Sequence, residues 1–217
     1  MVDARLHMVE VLDGVASRIK PRIRFLIRVK HLYSLATLLT MYKMQVWSII
    51  EYQTPALMLV CPSQLDRLDK IQRWFLHEVE LTDVQAFCVH NVAPPSLRRT
   101  IGLLGFLHKV VLGTAHPAIR EYFELDDRPI RYPWFHNKCL KDNQDSTQFW
   151  PLWRRSLFSY ISIYNRLPQS FVDSTSVSEF QAKLTSEAKR RAEGADNSWR
   201  KAFSSCEDVL AMAGHET

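Results

Sequence analysis

The chain has 217 residues, 47% hydrophobic and 24% charged, enough apolar material to bury a core in one large domain or two small ones, so it should fold in water. A formal net charge of +5 and a pI near 9.1 permit a nucleic-acid or acidic-lipid partner without demanding one. Cys61, Cys88, Cys139 and Cys206 stand far apart with no CxxC pair, which suggests neither a disulfide framework nor a cysteine-built zinc site, and the lack of a leader-like start or of a long apolar run points to an intracellular, soluble chain with no membrane partner.

Glycine and proline are sparse, and most segments between them show helical spacing. A first helix is expected over much of residues 2–18, with Pro21 restarting the chain in the first turn of a second, where proline fits. Ile19, Ile23, Leu26 and Ile27 face inward in that reading. A third helix runs from about Leu35 to Glu51, with Leu35, Leu38, Leu39, Tyr42, Val46, Ile49 and Ile50 on one stripe. After Cys61-Pro62, Ser63 is the expected cap of a helix whose inner face carries Leu65, Leu68, Gln72, Phe75, Leu76 and Val79. Thr82 and Gln85 fit a capping box for a short helix to about His90. Pro94-Pro95 then leads into a helix from Ser96 to Leu112, where Gly102 and Gly105 would admit a close neighbour and Gly113 is the stop signal.

A short segment covers Pro117 to Phe123. Residues 124–150 are polar, charged and aromatic without a sustained period, and are expected to form a long irregular loop. Trp153 to Tyr164 is apolar and branched, and periodicity leaves helix and strand both open. Ser176 and Glu179 form a capping box for a last helix with Val177, Phe180, Leu184 and Ala188 inward. Residues 194–217 read as a frayed tail. The expected fold is therefore mainly α, an irregular multi-helix bundle with a loop around 124–150. Its parts are a helical region over 1–123, the loop, a helical element over 151–193 packed on the first region, and the tail.

The basic charge is local. From Arg18 to Ile50 the charged residues are Arg18, Lys20, Arg22, Arg24, Arg28, Lys30 and Lys43, with no acid among them. In a helix Lys20, Arg24, Arg28 and His31 share one side, with Arg22 and Lys30 flanking the apolar face, a ridge suited to backbone phosphates or to water. Arg98 and Arg99 open a helix, where cations are mildly unfavourable, so they call for an acidic partner or a phosphate. His136 and Cys139 have ligand-like spacing but no second pair to complete a metal site. Tyr132, Trp134, Phe135, Phe149, Trp150 and Trp153 lie beside cations, an arrangement that stacks unpaired bases or pins the loop to the core. No GxSxG, HExxH or phosphate-cradling glycine loop occurs.

Four segments, in order, resemble the region that follows the polymerase core in non-LTR retrotransposon reverse transcriptases. "LATLLTMYKMQVWSIIEYQTPAL", after Arg28 to Tyr33, carries the likeness at Tyr42, Val46, Trp47, Ile50, Glu51, Tyr52, Thr54 and Pro55. "LDRLDKIQRWFLHEV" carries it at Leu68, Asp69, Gln72, Phe75 and Leu76. "NVAPPSLRRTIGLLGFLHKVVLG" does so at Asn91, Ala93, Pro94, Arg98, Arg99, Leu104 and Gly105, and "YNRLPQSFVDSTSVSEFQAKL" at Tyr164, Asn165, Leu167, Pro168, Val177, Phe180 and Leu184, with tyrosine where the family often has tryptophan. The resemblance implies that residues 1–123 are thumb- or connection-like. It implies a nucleic-acid-binding accessory region of an RNA-directed DNA polymerase that grips RNA or DNA, a template-primer duplex, beside the palm and thumb of the same element. The expected contacts are Lys20, Arg22, Arg24, Arg28, Lys30, Arg98 and Arg99.

The family's chemistry needs palm aspartates around two metal ions. The sole Asp-Asp pair, Asp126-Asp127, enters a polar loop rather than joining two apolar strands, so no catalytic residue and no cofactor is expected in this chain, magnesium belonging to a palm outside it. Two other readings stay open: a helical protein-interaction or scaffold domain, and an inactive remnant of a decayed retroelement.

Overall fold

The computed structural model describes residues 8–126, 136–142, 153–194, 196 and 198–213. Among the described residues every regular element is helical, with one isolated antiparallel bridge between Leu125 and Leu140. The fold is mainly α. The chain divides into two compact units, Met1–Arg99 and Thr100–Thr217, rather than after residue 123.

In the first unit, helix α1 spans Val9–Arg28 and contains Pro21. The expected break at Pro21 does not occur. Proline within a helix costs about 3 kcal/mol by removing one hydrogen bond and crowding a carbonyl. Ile19, Ile23 and Leu26 keep one helical register across it and are all fully buried, and each contributes about 1.5–3 kcal/mol. Continuity of the stripe therefore outweighs the proline, which sits on the exposed side, as does Ser17, whose carbonyl it deprives of a donor.

Helix α2 (Leu35–Tyr42), a π-helical turn (Lys43–Trp47) and α3 (Ser48–Tyr52) form the expected continuous run, the π turn being unanticipated. Short α4 (Thr54–Leu57) leads to α5 (Pro62–Glu78), whose capping position falls on Cys61, not Ser63, because Pro62 supplies the first helical residue. α6 (Asp83–Cys88) opens with the Thr82–Gln85 box in both directions. It closes through Asn91 in the left-handed region, where the Val92 amide reaches the Ala86 carbonyl at 2.7 Å and the Asn91 amide the Phe87 carbonyl at 3.2 Å. α1 contacts α2, the π turn, α3, α4 and α5, so its apolar stripe is the spine of this unit's core.

The unit boundary falls inside α7 (Pro95–Val111), which ends at Gly113 with φ of 71°. In the second unit follow α8 (Pro117–Arg120), α9 (Ser159–Tyr164), α10 (Gln169–Val172), α11 (Val177–Glu193), a 3-10 turn (Trp199–Lys201) and α12 (Cys206–Ala213). Residues 159–164 are helical, which resolves the choice that spacing left open. At the start of α11 the Ser176 hydroxyl caps the Glu179 amide, but the Glu179 carboxylate returns to Thr175, not to Ser176.

The expected frayed tail is instead part of the core through residue 209: Trp199, Ala202, Phe203 and Val209 are buried. Arg191, whose guanidinium binds Glu187 and the Asp208 carbonyl and lies 5.9 Å from the Phe203 ring centre, helps hold it. Two aromatic rings and a valine repay the ordering entropy that a polar reading of the segment omitted.

Gly105 admits the close neighbour expected of it, since a methyl there would meet the Gln181 side chain of α11, whereas nothing lies within 4 Å of a methyl at Gly102. Gly102→Ala should therefore raise the urea midpoint, adding about 0.5–1 kcal/mol through helix propensity alone. A neutral or destabilising result would mean that the helix is not formed as described.

Candidate nucleic-acid interface

The candidate surface is built by the second half of α1. With Ile19, Ile23 and Leu26 pinned in the core, the 100° helical step fixes where every other side chain leaves the helix. Lys20, Arg24 and Arg28 emerge along one strip, about 6 Å apart in rise, and Arg18 and Arg22 emerge on the opposite flank. All five are exposed. Among the described residues no carboxylate lies within ion-pair distance of any of them. The Arg22 Nη1 donates to the Arg18 carbonyl at 2.6 Å, one contact that leaves its remaining guanidinium donors for a ligand. The acids of α1, Glu10 and Asp13, are in its first half, and Asp13 is taken by Arg67 at 2.7 Å.

The structure does not gather all the expected contacts there. Lys30 is tied by its Nζ to the Glu78 carbonyl at 2.6 Å, with the Glu78 carboxylate at 3.8 Å. Arg98 pairs with Glu51 and lies over the Trp47 ring, 3.8 Å from its centre. Lys43 approaches the same ring at 5.7 Å and donates to the His90 carbonyl. Arg99 is buried, 9% exposed. Near it the Asp69 carboxylate accepts the Ser96 amide at 2.9 Å, and burial raises the Asp69 pKa against the pull of the Ser96 bonds and the Arg99 charge. Arg98 thus answers to a carboxylate inside its own unit, because the acidic group that a cation needs at a helix start comes from α3, and Arg99 is buried where its charge acts on the Asp69 carboxyl of α5. Neither belongs to the exposed basic face.

No protein-family model, curated protein or solved structure matches this chain. The site therefore rests on its own geometry.

Residues carrying the family likeness elsewhere have packing roles. Gln72 is buried at a junction where its Oε1 accepts from the Tyr42 hydroxyl (3.0 Å) and the Trp47 indole (3.2 Å), and its Nε2 donates to the Ala93 carbonyl (3.1 Å). Tyr42 stacks on Phe75 with ring centres 4.4 Å apart. In the second unit, Asn165 clamps the Leu140 backbone with bonds of 2.9 and 2.8 Å. The Tyr164 hydroxyl meets His108 Nδ1 at 3.0 Å, while His108 Nε2 donates to the Ser174 carbonyl at 3.0 Å and the ring stacks on Phe180.

His136 spends both ring nitrogens on backbone, Nδ1 accepting from the Lys138 amide (3.0 Å) and Nε2 donating to the Tyr164 carbonyl (2.9 Å). It has no lone pair left for a metal, and burial pushes the Cys139 thiol up to about 11, away from a ligating thiolate. No group of three or more potential metal ligands occurs among the described residues. Asp126 follows the Leu125–Leu140 bridge, with its amide bonded to the Cys139 carbonyl. Of the loop aromatics, Trp153 stacks on Phe158, which stacks on Phe123, a packing arrangement. Tyr132, Trp134, Phe135, Phe149 and Trp150, like Asp127, lie outside the described residues.

Two exposed residues of α1 were missing from the sequence-derived set. Arg18 belongs to the basic run, and continuity of the helix through Pro21 brings it onto the same surface. Phe25, 51% exposed, carries a signal in the sequence: a large apolar residue two positions out of step with the Ile19, Ile23, Leu26 stripe.

Proposed function

We propose that this chain is a nucleic-acid-binding accessory region of a retrotransposon RNA-directed DNA polymerase, working beside a palm and thumb that carry the chemistry. The observation that supports the reading most directly is the row Lys20, Arg24 and Arg28, exposed on a helix anchored by a buried stripe and, among the described residues, without carboxylates in reach. Cations already paired would have to exchange a carboxylate for a phosphate, whereas these gain one. Their spacing suits backbone phosphates, which position a duplex without reading its sequence. No helix among the described residues is long and apolar enough to cross a membrane. The four ordered sequence likenesses supply the polymerase context.

The test is binding of the purified chain to a labelled RNA–DNA hybrid across a salt series. Three phosphate contacts predict a log–log slope near about −2 to −3. Glu at Lys20, Arg24 and Arg28 together should weaken binding by about 10- to 100-fold at low salt for unrelated sequences alike, with an unchanged helical circular dichroism signal. Binding insensitive to salt, or equal affinity of the folded triple variant, would overturn the reading.

A further inference from the structure

We infer that Phe25 is a stacking platform for an unpaired base, so that the basic face of α1 takes a junction between duplex and single strand rather than a plain duplex. The inference rests on the nucleic-acid reading above and extends it from phosphates to bases. Phe25 leaves the helix between cations: Arg18 is seven residues before it, Arg22 three before and Arg28 three after, spacings that put all of them on its side of the helix. The ring is half exposed although α1 is firmly packed, and none of these guanidinium groups has a carboxylate in reach among the described residues.

A ring framed in this way is poorly suited to an ordinary apolar protein partner, which would have to cover several guanidinium groups without neutralising them. Single-stranded nucleic acid matches both halves of the surface. Its base presents a π face to Phe25 while its phosphates meet Arg18, Arg22 and Arg28, the pairing of aromatic platform and cationic track that binds unpaired strands. The same basic stretch continues past the helix through the 3-10 turn Lys30–Leu32 to Tyr33, whose backbone is extended and whose ring is 47% exposed. Lys20 and Arg24, on the other flank, hold the duplex backbone, and Arg28, between the two flanks, lies within reach of both.

The experiment compares a blunt RNA–DNA hybrid with the same hybrid carrying a short unpaired overhang, using parent chain and Phe25→Ala at one salt concentration. The parent should prefer the overhang substrate by about tenfold, the usual worth of one stacked base. Phe25→Ala should lose most of that preference, keeping only what the overhang phosphates supply, with its affinity for the blunt hybrid retained, and Phe25→Trp should retain the preference. A fluorescent purine in the overhang should be quenched by the parent and not by Phe25→Ala. Equal binding of blunt and overhang substrates, or a preference that survives undiminished in Phe25→Ala or with an abasic overhang, overturns the stacking role. In those outcomes salt-dependent binding of the blunt hybrid leaves the proposed function standing, whereas no binding to either substrate removes both.

Discussion

Replacing Gln72 by leucine should destabilise the first unit by about 3–5 kcal/mol, although leucine fills a similar volume in an apolar setting. The side chain amide serves three buried partners, the Tyr42 hydroxyl, the Trp47 indole N–H and the Ala93 carbonyl. Each left without a partner costs about 1–3 kcal/mol, and the three together less than their sum as the site relaxes. Burial raises the Tyr42 pKa far above its ordinary value, with Asp69 adding to the effect, so the phenol remains a donor that must be satisfied.

The mechanism has a diagnostic partner variant. Tyr42→Phe removes one of the orphaned groups, so in the Gln72→Leu background it should cost much less than it does alone, or recover about 1 kcal/mol. Urea unfolding followed by tryptophan fluorescence reads both effects. A loss below about 1 kcal/mol for Gln72→Leu would mean that water or rearrangement satisfies the three groups and that the Gln72 amide does not hold the junction together.

Acidification should weaken the second unit through His136. Burial is the largest cause holding its pKa down to about 4, with Lys138 and His108 adding to it against the bond to the Tyr164 carbonyl. The geometry gives the same sign, since a proton on Nδ1 would point at the Lys138 amide that now donates to it. In the unfolded chain the ring takes its proton near 6.5. Between these values the unfolded state binds more protons than the folded state, so stability rises with pH through that window and is lost as pH falls through it. The neutral ring's full contribution is present above about pH 6.5, and about 3 kcal/mol disappears by about pH 4.

Burial lowers the His108 pKa as well, so His136→Gln should flatten the pH dependence without abolishing it. Urea midpoints measured from about pH 7.5 down to about pH 4, together with NMR titration of the His136 ring, check the claim. A midpoint unchanged through the window, or a His136 ring that titrates near 6.5 in the folded chain, would refute it.

Much of the fold was legible because its signals are local. Thr82 and Gln85 lie three residues apart and close the box that their types imply, and Gly113 takes the positive φ of a helix stop. The stripes of α2, α5 and α11 place Tyr42, Gln72 and Phe180 inward, as they are found. Pro21 failed as a breaker because its cost is smaller than the burial of the isoleucines and leucine around it. The frayed-tail expectation for residues 194–217 fails for a similar reason: Trp199 and Phe203 stand among polar neighbours in the sequence, and only packing against α11 gives them a core.

For the candidate surface, the sequence by itself determined that cations are concentrated between Arg18 and Lys43, with no acid among them, and that the apolar stripe of the same helix turns Lys20, Arg24 and Arg28 outward. The tertiary structure decided which charges remain open to a ligand. Arg98 meets Glu51 and Lys30 meets Glu78 across separations of 47 and 48 residues, while Arg99 is buried. Helix periodicity relates neighbours three and four positions apart and is blind to such pairings. A charge is available for binding only when no distant part of the chain folds back to neutralise or bury it, and that is settled by packing.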